Sequence, residues 1–464
     1  VQQAHQNGIT GEGVKVGIID IGFDINNPAI ASNVADVKSY RSTQGSLAHG
    51  TSVAETVVRT APDSEIYVVS ISNTLVDTEK AIDYLNSQNV DVIVHSRSFA
   101  AIEDDGSHVL SDNINDAVNG GSLFVNSAGN EAQTHWEGDF RDTDGNDVHE
   151  WTDSGDELNC LPNCEREYSG DVTVFVRWND QGQRSQYQPV LYNPVRDEYI
   201  KSGQDRVFST PTGTQYSVLD TTVAPQAVDL IIAHTGGPAD DEIEVSFLNG
   251  PQEIERNVPG SSISAPADVE KALAVAAYQR GISRGFEGQY PRQLASYSSR
   301  GPTDDGRTGI DVTGYTNIRT TSNFYDPTFA GTSAAAPYVG GVAALVHEKQ
   351  PTDPSPTELT NTLKSSSDDI LDPGIDTSSG SGVVNANEAI KDAESAQVQL
   401  TNVELSQNSI SNNSESDRTL TFDALNVSSD GQQDNFTVTM PQSVELVAVT
   451  DVAVTNGNYD VSYS

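Results

Sequence analysis

Apolar strand-like runs alternate with helix-like stretches over much of the chain. The strand-like runs lie at residues 14–20, 90–96, 122–127 and 272–278, and β-branched residues dominate the first of them. The helix-like stretches lie at about residues 50–59, 77–88, 108–119 and 334–349. Strands that alternate with helices in this way favour a mostly parallel sheet with helices on both faces. The pattern therefore predicts an α/β fold.

A different pattern fills residues 135–255 and returns near the end of the chain. Short alternating runs, such as residues 172–178 and 242–247, are separated by Gly, Asn, Asp and Pro turns, which is typical of an antiparallel β-sandwich. We therefore predict that residues 135–255 form a β-sandwich inserted between residues 1–134 and 256–395. Alternation at 398–405 and 436–440 predicts a third, β-rich domain over residues 396–464, which is incomplete at its end.

The charge balance is strongly acidic. The 464 residues include 67 acidic and 25 basic side chains, a net charge of −42, and the acids are spread along the chain. Such a surface repels itself over roughly 30 Å in about 0.01 M salt but over only roughly 3 Å in about 1 M salt. The composition favours a protein adapted to high salt; a carboxylate-rich cation-binding surface is the alternative. Nucleic acid and anionic membranes are excluded as natural partners.

Three smaller features of the sequence bear on where the protein is located. No run approaches 18 apolar residues, so no transmembrane span is predicted. Cys160 and Cys164 have no neighbouring ligands for zinc and form either a short-loop disulfide or two free thiols. Three Asn-x-Ser/Thr sequons, at Asn412, Asn426 and Asn435, favour a glycosylated extracellular surface.

Four polar residues stand where a strand is predicted to end or a helix to begin: Asp20, His49, Asn130 and Ser333. Ser333 follows a small-residue turn and opens a long apolar helix, where free N–H groups and the helix dipole suit a nucleophile. Asp20 ends a buried strand, the place where α/β sheets keep ligand groups. Taken singly, each residue has an ordinary structural explanation: a turn-capping aspartate, a packed histidine, a Gly-Asn turn and a helix-capping serine.

Together, the motifs around these residues resemble those of the subtilisin-like serine peptidases. The matching stretches are Ile18-Ile19-Asp20, His49-Gly50-Thr51, Ser127-Ala128-Gly129-Asn130, Tyr297-Ser298-Ser299-Arg300-Gly301-Pro302 and Gly331-Thr332-Ser333-Ala334-Ala335-Ala336-Pro337. The order Asp, His, Asn, Ser is the family's order of catalytic groups. The resemblance covers about residues 5–130 and 258–395, and it implies a doubly wound sheet of the subtilisin type.

The resemblance implies a role for each of the four residues. Ser333 attacks a peptide carbonyl, and His49 acts as general base and then as general acid. Asp20 orients His49, while Asn130 and the backbone N–H of Ser333 stabilise the oxyanion. No cofactor is implied for catalysis, and a structural calcium ion is left open. Residues 142–147 have the composition of a calcium loop, although a plain hairpin turn is favoured because a distal Glu at the required spacing is missing.

Two segments resemble the family's substrate-binding strands: Ser96, Arg97, Ser98 and Phe99, and Ser127, Ala128 and Gly129. Arg97 and Phe99 are larger than the residues that the family usually has there, which predicts a reshaped specificity pocket. Arg97 either favours acidic or polar substrate side chains or pairs with nearby carboxylates.

The sequence as a whole predicts a secreted, salt-adapted subtilisin-like serine endopeptidase that acts on proteins or peptides, located outside the cell or at its surface. The resemblance also implies a folding propeptide, which residues 1–464 do not contain. One alternative is a catalytically inert adhesion or carbohydrate-binding protein that uses its β-domains. The other is a processing peptidase of narrow specificity.

Overall fold

The computed structural model describes 16 segments of the chain. They are residues 1–41, 46–100, 102–162, 164, 166–179, 184–203, 206–210, 212–279, 282–283, 286–287, 293–321, 325, 328–350, 353–394, 399–405 and 420–425. The helices in these segments are α1 (Gln2–Gln6), α2 (Ala48–Thr60), α3 (Leu75–Ser87), α4 (Ser111–Asn119), α5 (Thr332–Lys349), α6 (Pro356–Ser365) and α7 (Ala386–Glu394). The strands are β1 (Lys15–Asp20), β2 (Val34–Ser39), β3 (Glu65–Ser70), β4 (Val92–His95), β5 (Leu123–Ser127), β6 (Trp136–Asp139), β7 (Asn159–Leu161), β8 (Tyr168–Trp178), β9 (Gln186–Asn193), β10 (Glu198–Ser202), β11 (Phe208–Ser209), β12 (Gln215–Gln226), β13 (Val228–Gly236), β14 (Glu242–Asn249), β15 (Leu273–Gln279), β16 (Ile282–Ser283), β17 (Phe286–Glu287), β18 (Gln293–Leu294), β19 (Val312–Thr316), β20 (Gln399–Leu405) and β21 (Leu420–Leu425).

An eight-stranded, mainly parallel sheet carries the candidate catalytic motifs. Its strands run in the order β18-β15-β5-β4-β1-β3-β2, with β19 also paired to β15, and only the β15–β18 pair is antiparallel. The four strands and four helices predicted from the alternating pattern are all present, so the predicted mixed α/β fold with a mainly parallel sheet is confirmed.

The register of this sheet brings three strand ends to one edge. Ile19 of β1 lies opposite His95 of β4, and His95 lies opposite Asn126 of β5. Because these strands are parallel, the residues at their carboxyl ends, Asp20, Ser96 and Ser127, lie side by side.

Helix α5 is the most deeply buried helix of the candidate site. Every residue from Ala334 to Val346 is buried, as expected for a helix that is apolar on all sides. It packs against α2 and against strands β4, β5, β15 and β19. Its first turn, which carries Ser333, is thereby held near the ends of β4 and β5.

Two antiparallel sheets occupy residues 136–249. One has the order β10-β9-β13-β7 and the other β11-β12-β8-β14-β6. Buried side chains of both sheets form one hydrophobic core that includes Trp178 and Tyr187. The strand-like runs 172–178 and 242–247 fall within β8 and β14. The predicted domain boundaries at 134, 255 and 395 stay predictions.

By compactness the chain divides into residues 1–392 and residues 393–464. The first unit contains the parallel sheet and both antiparallel sheets. In the second, β20 pairs antiparallel with β21. The run at 436–440 and the sequons at Asn412, Asn426 and Asn435 lie outside the described residues.

Cys160 and Cys164 form a disulfide, with their Cα atoms 5.0 Å apart. This pairing selects the disulfide of the two alternatives that the sequence left open. Among the described helices, none combines the length and the apolar character needed to cross a bilayer.

Candidate active site

Asp20 and His49 are joined by a hydrogen bond at the end of β1. Asp20 is fully buried, and its Oδ2 lies 2.8 Å from His49 Nδ1. Its Oδ1 accepts a hydrogen bond of 2.7 Å from the backbone N–H of Ile21. A carboxylate at Nδ1 keeps the proton of a neutral imidazole on that nitrogen, which leaves Nε2 unprotonated as a base.

The glycine after His49 makes this pairing sterically feasible. A Cβ at Gly50 would lie 2.4 Å from the carbonyl oxygen of Gly22 and 2.9 Å from Asp20 Cβ. Only glycine therefore lets the start of α2 lie this close to the end of β1. The His49 ring also packs edge-on against Phe329, with 5.3 Å between ring centroids.

Ser333 is the second residue of α5 and exchanges hydrogen bonds with Ser96. The Oγ of Ser333 donates to the carbonyl oxygen of Ser96 at 3.3 Å, and the Oγ of Ser96 donates to the carbonyl oxygen of Ser333, also at 3.3 Å. The Ser333 carbonyl is available because Pro337, four residues later, has no N–H to close the helical bond. Proline thus frees the acceptor that attaches α5 to the end of β4.

In the described part of the chain, no hydrogen bond joins Ser333 to His49. The structure therefore brings together Asp20 with His49 and Ser333 with Ser96. Side chains of apo active sites are often poorly aligned before substrate binds, so this arrangement does not exclude transfer of a proton from Ser333 to His49.

Asn130 is held by the first residue of α5. Its Oδ1 accepts hydrogen bonds from the backbone N–H of Thr332 at 2.9 Å and from the Thr332 hydroxyl at 3.2 Å. Because the amide oxygen is used in this way, the exposed amide NH₂ is left to donate elsewhere. Sequence analysis assigned no role to Thr332; its position directly before Ser333 in the matching Gly331-Thr332-Ser333 stretch was the available signal.

Ser127, Ala128 and Gly129 lead from β5 to Asn130 and are buried. Gly129 has a φ of +110°, and a Cβ there would lie 2.2 Å from Glu131 Oε2 and 2.5 Å from Ser264 Oγ. A side chain at Gly129 would displace Glu131, so the glycine fixes both the turn and the carboxylate that follows it.

The two large residues of segment 96–99 have definite partners. Arg97 Nε donates to the amide oxygen of Asn73 at 2.9 Å, which is not the carboxylate that the sequence suggested. Phe99 stacks on His95 with 6.4 Å between ring centroids, and its backbone N–H donates to Ala265. Burial lowers the pKa of His95 to about 4, so this ring is neutral at pH 7.

A cavity of about 370 Å³, open mouth included, lies beside segment 98–104. Its opposite wall comes from β8 and β14 of the antiparallel sheets. Arg177 of β8 donates to Asp104, to Glu244 and to the carbonyl oxygen of Ile102. Sequence analysis missed this charged group, because its members come from segments far apart in the chain.

The loop at 142–147 brings acidic oxygens together. Oxygen atoms of Asp142, Asp144 and Glu150 lie within 4.8 Å of one another, and carboxylates are ligands that hard cations prefer. However, Asp142 already accepts backbone N–H groups of Gly145 and Asp147, and Glu150 lies 3.3 Å from Arg141 Nε. The carboxylates of this loop are therefore bonded within the protein, as in an ordinary turn closed by aspartate side chains.

Comparison with known proteins gives three relevant matches. The chain matches the family model described as the subtilase family over residues 11–155 and 216–382. It is 31% identical over 147 residues to a protein named thermostable alkaline protease from Halalkalibacterium halodurans, covering 28% of this chain and 39% of that protein. It is 30% identical over 149 residues to subtilisin from Bacillus pumilus, covering 28% and 52%.

The chain thus spans between about two fifths and one half of the length of these relatives. Among solved structures, the CspB protease of Clostridium perfringens superimposes with a TM-score of 0.56 at 17% identity, over 84% of this chain and 96% of that one. This similarity shows a shared fold. The family model matches well over half of the chain, and the motifs in the matched regions surround the Asp20–His49 pair and Ser333. The chain belongs to the subtilase family of subtilisin-like serine proteases.

Proposed function

We propose that this protein is a serine endopeptidase whose catalytic residues are Ser333, His49 and Asp20. The observation that carries the proposal is the buried Asp20 carboxylate bonded to His49 Nδ1, at the same sheet edge as the serine that opens α5. Ser333 Oγ would rotate away from the Ser96 carbonyl and attack the carbonyl carbon of the scissile bond. His49 Nε2 accepts the proton and then delivers it to the leaving amine, which gives an acyl-enzyme on Ser333.

Asn130 would stabilise the oxyanion of the tetrahedral intermediate. Thr332 holds the amide oxygen, and no residue in the described segments accepts a hydrogen bond from the NH₂ group, which supports its role as a preorganised donor. The backbone N–H of Ser333, at the second residue of α5, has no intrahelical acceptor and would serve as a second donor. In deacylation, His49 Nε2 takes a proton from water as the water oxygen attacks the acyl carbon, and the proton then passes to Ser333 Oγ as that oxygen leaves and the carboxylic acid product is released.

Segments 96–99 and 127–129 would hold the substrate on the two sides of the scissile bond. They lie at the ends of two adjacent parallel strands, β4 and β5. The first segment begins with Ser96, which is hydrogen-bonded to Ser333, and the second is followed by Asn130. The proposed reaction requires no cofactor.

Active-site labelling tests this function. A fluorophosphonate reacts only with an activated serine, so we expect labelling of the wild type and no labelling of Ser333→Ala. Ser355→Ala is a matched control, because Ser355 also stands at the start of a helix, α6, but caps it through Glu358. A folded wild type that resists labelling and hydrolyses no peptide would contradict the proposal and return attention to adhesion through the β-domains.

We propose further that the enzyme is secreted and works at high salt. The net charge of −42 supports this, since salt screens the mutual repulsion of dispersed carboxylates. The melting temperature should rise between about 0.05 M and about 3 M NaCl, because the screening length falls from above 10 Å to below 3 Å. A melting temperature that falls over this range would contradict salt adaptation.

A further inference from the structure

Helix α2 carries three polar side chains at a spacing of three residues: His49, Ser52 and Glu55. Residues three apart are neighbours on the surface of a helix, so these side chains form one row that starts at the proposed general base. Ser52 and Glu55 are fully buried. Neither takes part in the proposed reaction, so their burial beside it has another cause.

The carboxylate of Glu55 holds a residue that lies 266 positions later in the chain. Its Oε2 accepts hydrogen bonds of 2.7 Å from both the backbone N–H and the hydroxyl of Thr321. Asn27 Nδ2 donates to the same hydroxyl at 3.0 Å, and Arg59 Nε donates to Glu55 Oε1 at 2.7 Å. Hydrogen bonds to a carboxylate are stronger than those to a neutral acceptor, so Glu55 fixes Thr321 firmly against α2.

The residues just before Thr321 continue this attachment along the row. The hydroxyl oxygens of Thr320 and Ser52 lie 3.3 Å apart. Ile318 and Phe329 exchange both backbone hydrogen bonds of an antiparallel bridge, at 2.8 Å and 2.7 Å. The bridge therefore attaches Phe329 to the segment that α2 holds.

Phe329 in turn restrains the imidazole ring of His49. Its buried ring lies edge-on to the imidazole, with the two planes at 87° and 5.3 Å between centroids. Tyr325 also packs edge-on against His49, at 6.3 Å, and its ring contacts Phe329 at 4.9 Å. Asp20 holds Nδ1 in the plane of the imidazole, whereas the aromatic rings restrict rotation out of that plane. Together these contacts fix the direction in which Nε2 points.

We propose that Glu55 is a positioning residue for the general base. By binding Thr321 it holds the bridge at Phe329 against α2, and the Phe329 ring then keeps the imidazole aligned with its aspartate. This role rests on the proposed function of His49 and adds to it a residue that touches neither substrate nor base. The acceptor oxygen carries the role, because both donors of Thr321 meet Oε2.

The kinetics of two Glu55 variants test the proposal. Glu55→Ala removes the acceptor, and kcat should fall about 10–100-fold while KM changes less than about threefold, since a misplaced base slows chemistry more than binding. Glu55→Gln keeps an amide oxygen for Thr321, so its kcat should stay within about threefold of the wild type. A Glu55→Ala enzyme with the kcat of the wild type would overturn the proposal.

Glu348→Ala is the matched control. Glu348 also accepts two backbone N–H groups of a distant segment, those of Thr10 and Gly11, but it lies at the opposite end of α5 from Ser333. Its kcat should equal that of the wild type. Equal losses of kcat in Glu348→Ala and Glu55→Ala would overturn the positioning role, because loss of any segment attachment would then suffice.

The proton NMR signal of His49 Nδ1–H separates this proposal from the proposed function, because it requires no turnover. It is recorded in the Ser333→Ala background and assigned by its absence after His49→Ala. Glu55→Ala should broaden the signal through faster exchange with water, whereas Glu55→Gln should leave it sharp. Such broadening in a protein without peptidase activity would support the positioning role and overturn the peptidase function. An equally sharp signal in Glu55→Ala would overturn the positioning role, whatever the rates.

Thr321→Val replaces Glu55→Ala should that variant fail to fold. Thr321 is exposed, and the substitution removes one of its two donors while the buried carboxylate stays in place. Loss of one hydrogen bond should lower kcat about threefold to tenfold and broaden the same signal. Wild-type values of both quantities would overturn the proposal.

Discussion

Two groups of polar side chains, the candidate catalytic residues and the Arg177 cluster of the antiparallel sheets, are built in opposite ways. In the first, Asp20, His49 and Ser333 stand where a strand ends or a helix begins. In the second, Arg177 and Glu244 stand within long antiparallel strands and bind each other across the ladder. In the first group, Ser333 and His49 carry the atoms that would react with substrate, whereas the charged groups of Arg177 and Glu244 bind each other.

The difference suggests separate roles: the first group would carry out catalysis, and the second would contribute to stability and substrate preference. The candidate catalytic groups act on the bonds that are made and broken in the substrate, so their loss removes chemistry. Buried ion pairs are different: removal of one partner leaves an uncompensated charge, which costs more than the pair contributes. We therefore expect substitutions in the first group to change rate and those in the second to change stability and substrate preference.

The largest expected effect is at His49. His49→Ala removes the base that activates Ser333, and kcat should fall on the order of 10⁶-fold, about 8 kcal/mol, as measured for subtilisin itself. His347→Ala is the control, since His347 pairs with Asp353 away from this site. A His49→Ala enzyme that retains a tenth of the wild-type activity would contradict the assignment of His49 to the catalytic group.

Arg177→Met tests the second group. Asp104 and Glu244 would lose their shared cation, and the free energy of unfolding should fall by about 3–5 kcal/mol. Denaturant titration measures this loss. Arg196→Met removes an arginine from an exposed hairpin and should change stability by no more than about 0.5 kcal/mol. Equal effects of the two substitutions would show that burial of the Arg177 cluster is unimportant.

Asn130→Ala should lower kcat by about 10²–10³-fold with a smaller change in KM, a magnitude established in subtilisin, a member of this family. Asn130→Asp keeps the acceptor for Thr332 but lacks the NH₂ donor, so it should not restore the rate. If Asn130→Asp is as active as the wild type, Asn130 serves to hold α5 and has no role at the oxyanion.

The smallest effect concerns pH and appears in both regions. Burial lowers the pKa of His149, in the antiparallel region, to about 4, as it does for His95 in the parallel sheet. The unfolded chain binds the proton near pH 6.5, so the stability contributed by each neutral ring is complete above pH 6.5 and is lost as pH falls toward 4. The loss per ring reaches about 3 kcal/mol.

Denaturant titrations of the wild type and His149→Phe at several pH values measure this contribution. The substitution should flatten the fall in unfolding free energy between pH 6.5 and 4, whatever its constant effect at pH 7. His95→Phe should act in the same way. Parallel curves for wild type and variant would mean that the buried ring does not resist protonation.

Residues whose role follows from local pattern were predicted at the correct positions in the fold. Asp20 and Ser333 were placed at a strand end and a helix start because hydrophobic periodicity and small-residue turns mark these points in the sequence. The second group escaped prediction because its contacts are not local: Arg177 lies 73 positions from Asp104 and 67 from Glu244. Strand pairing in the antiparallel sheets fixes such contacts, and no spacing in the sequence predicts them.

The contacts of individual large side chains could not be predicted from the sequence either. Arg97 was assigned to carboxylates or to substrate, but the left-handed backbone at Asn73 presents an amide oxygen to it instead. Phe99 was expected to reshape the pocket, and it does line the cavity, but one face of its ring is occupied by buried His95. Both outcomes depend on side-chain directions that only the folded chain defines.

The reciprocal hydrogen bonds between Ser96 and Ser333 anchor the part of the chain that follows β4. One end is fastened to the nucleophile, and the other is fastened to the antiparallel sheets through the bond from Arg177 to the Ile102 carbonyl. The residues that follow β4 therefore have fixed contacts on two sides, the candidate nucleophile and the antiparallel sheets, within one short stretch of chain.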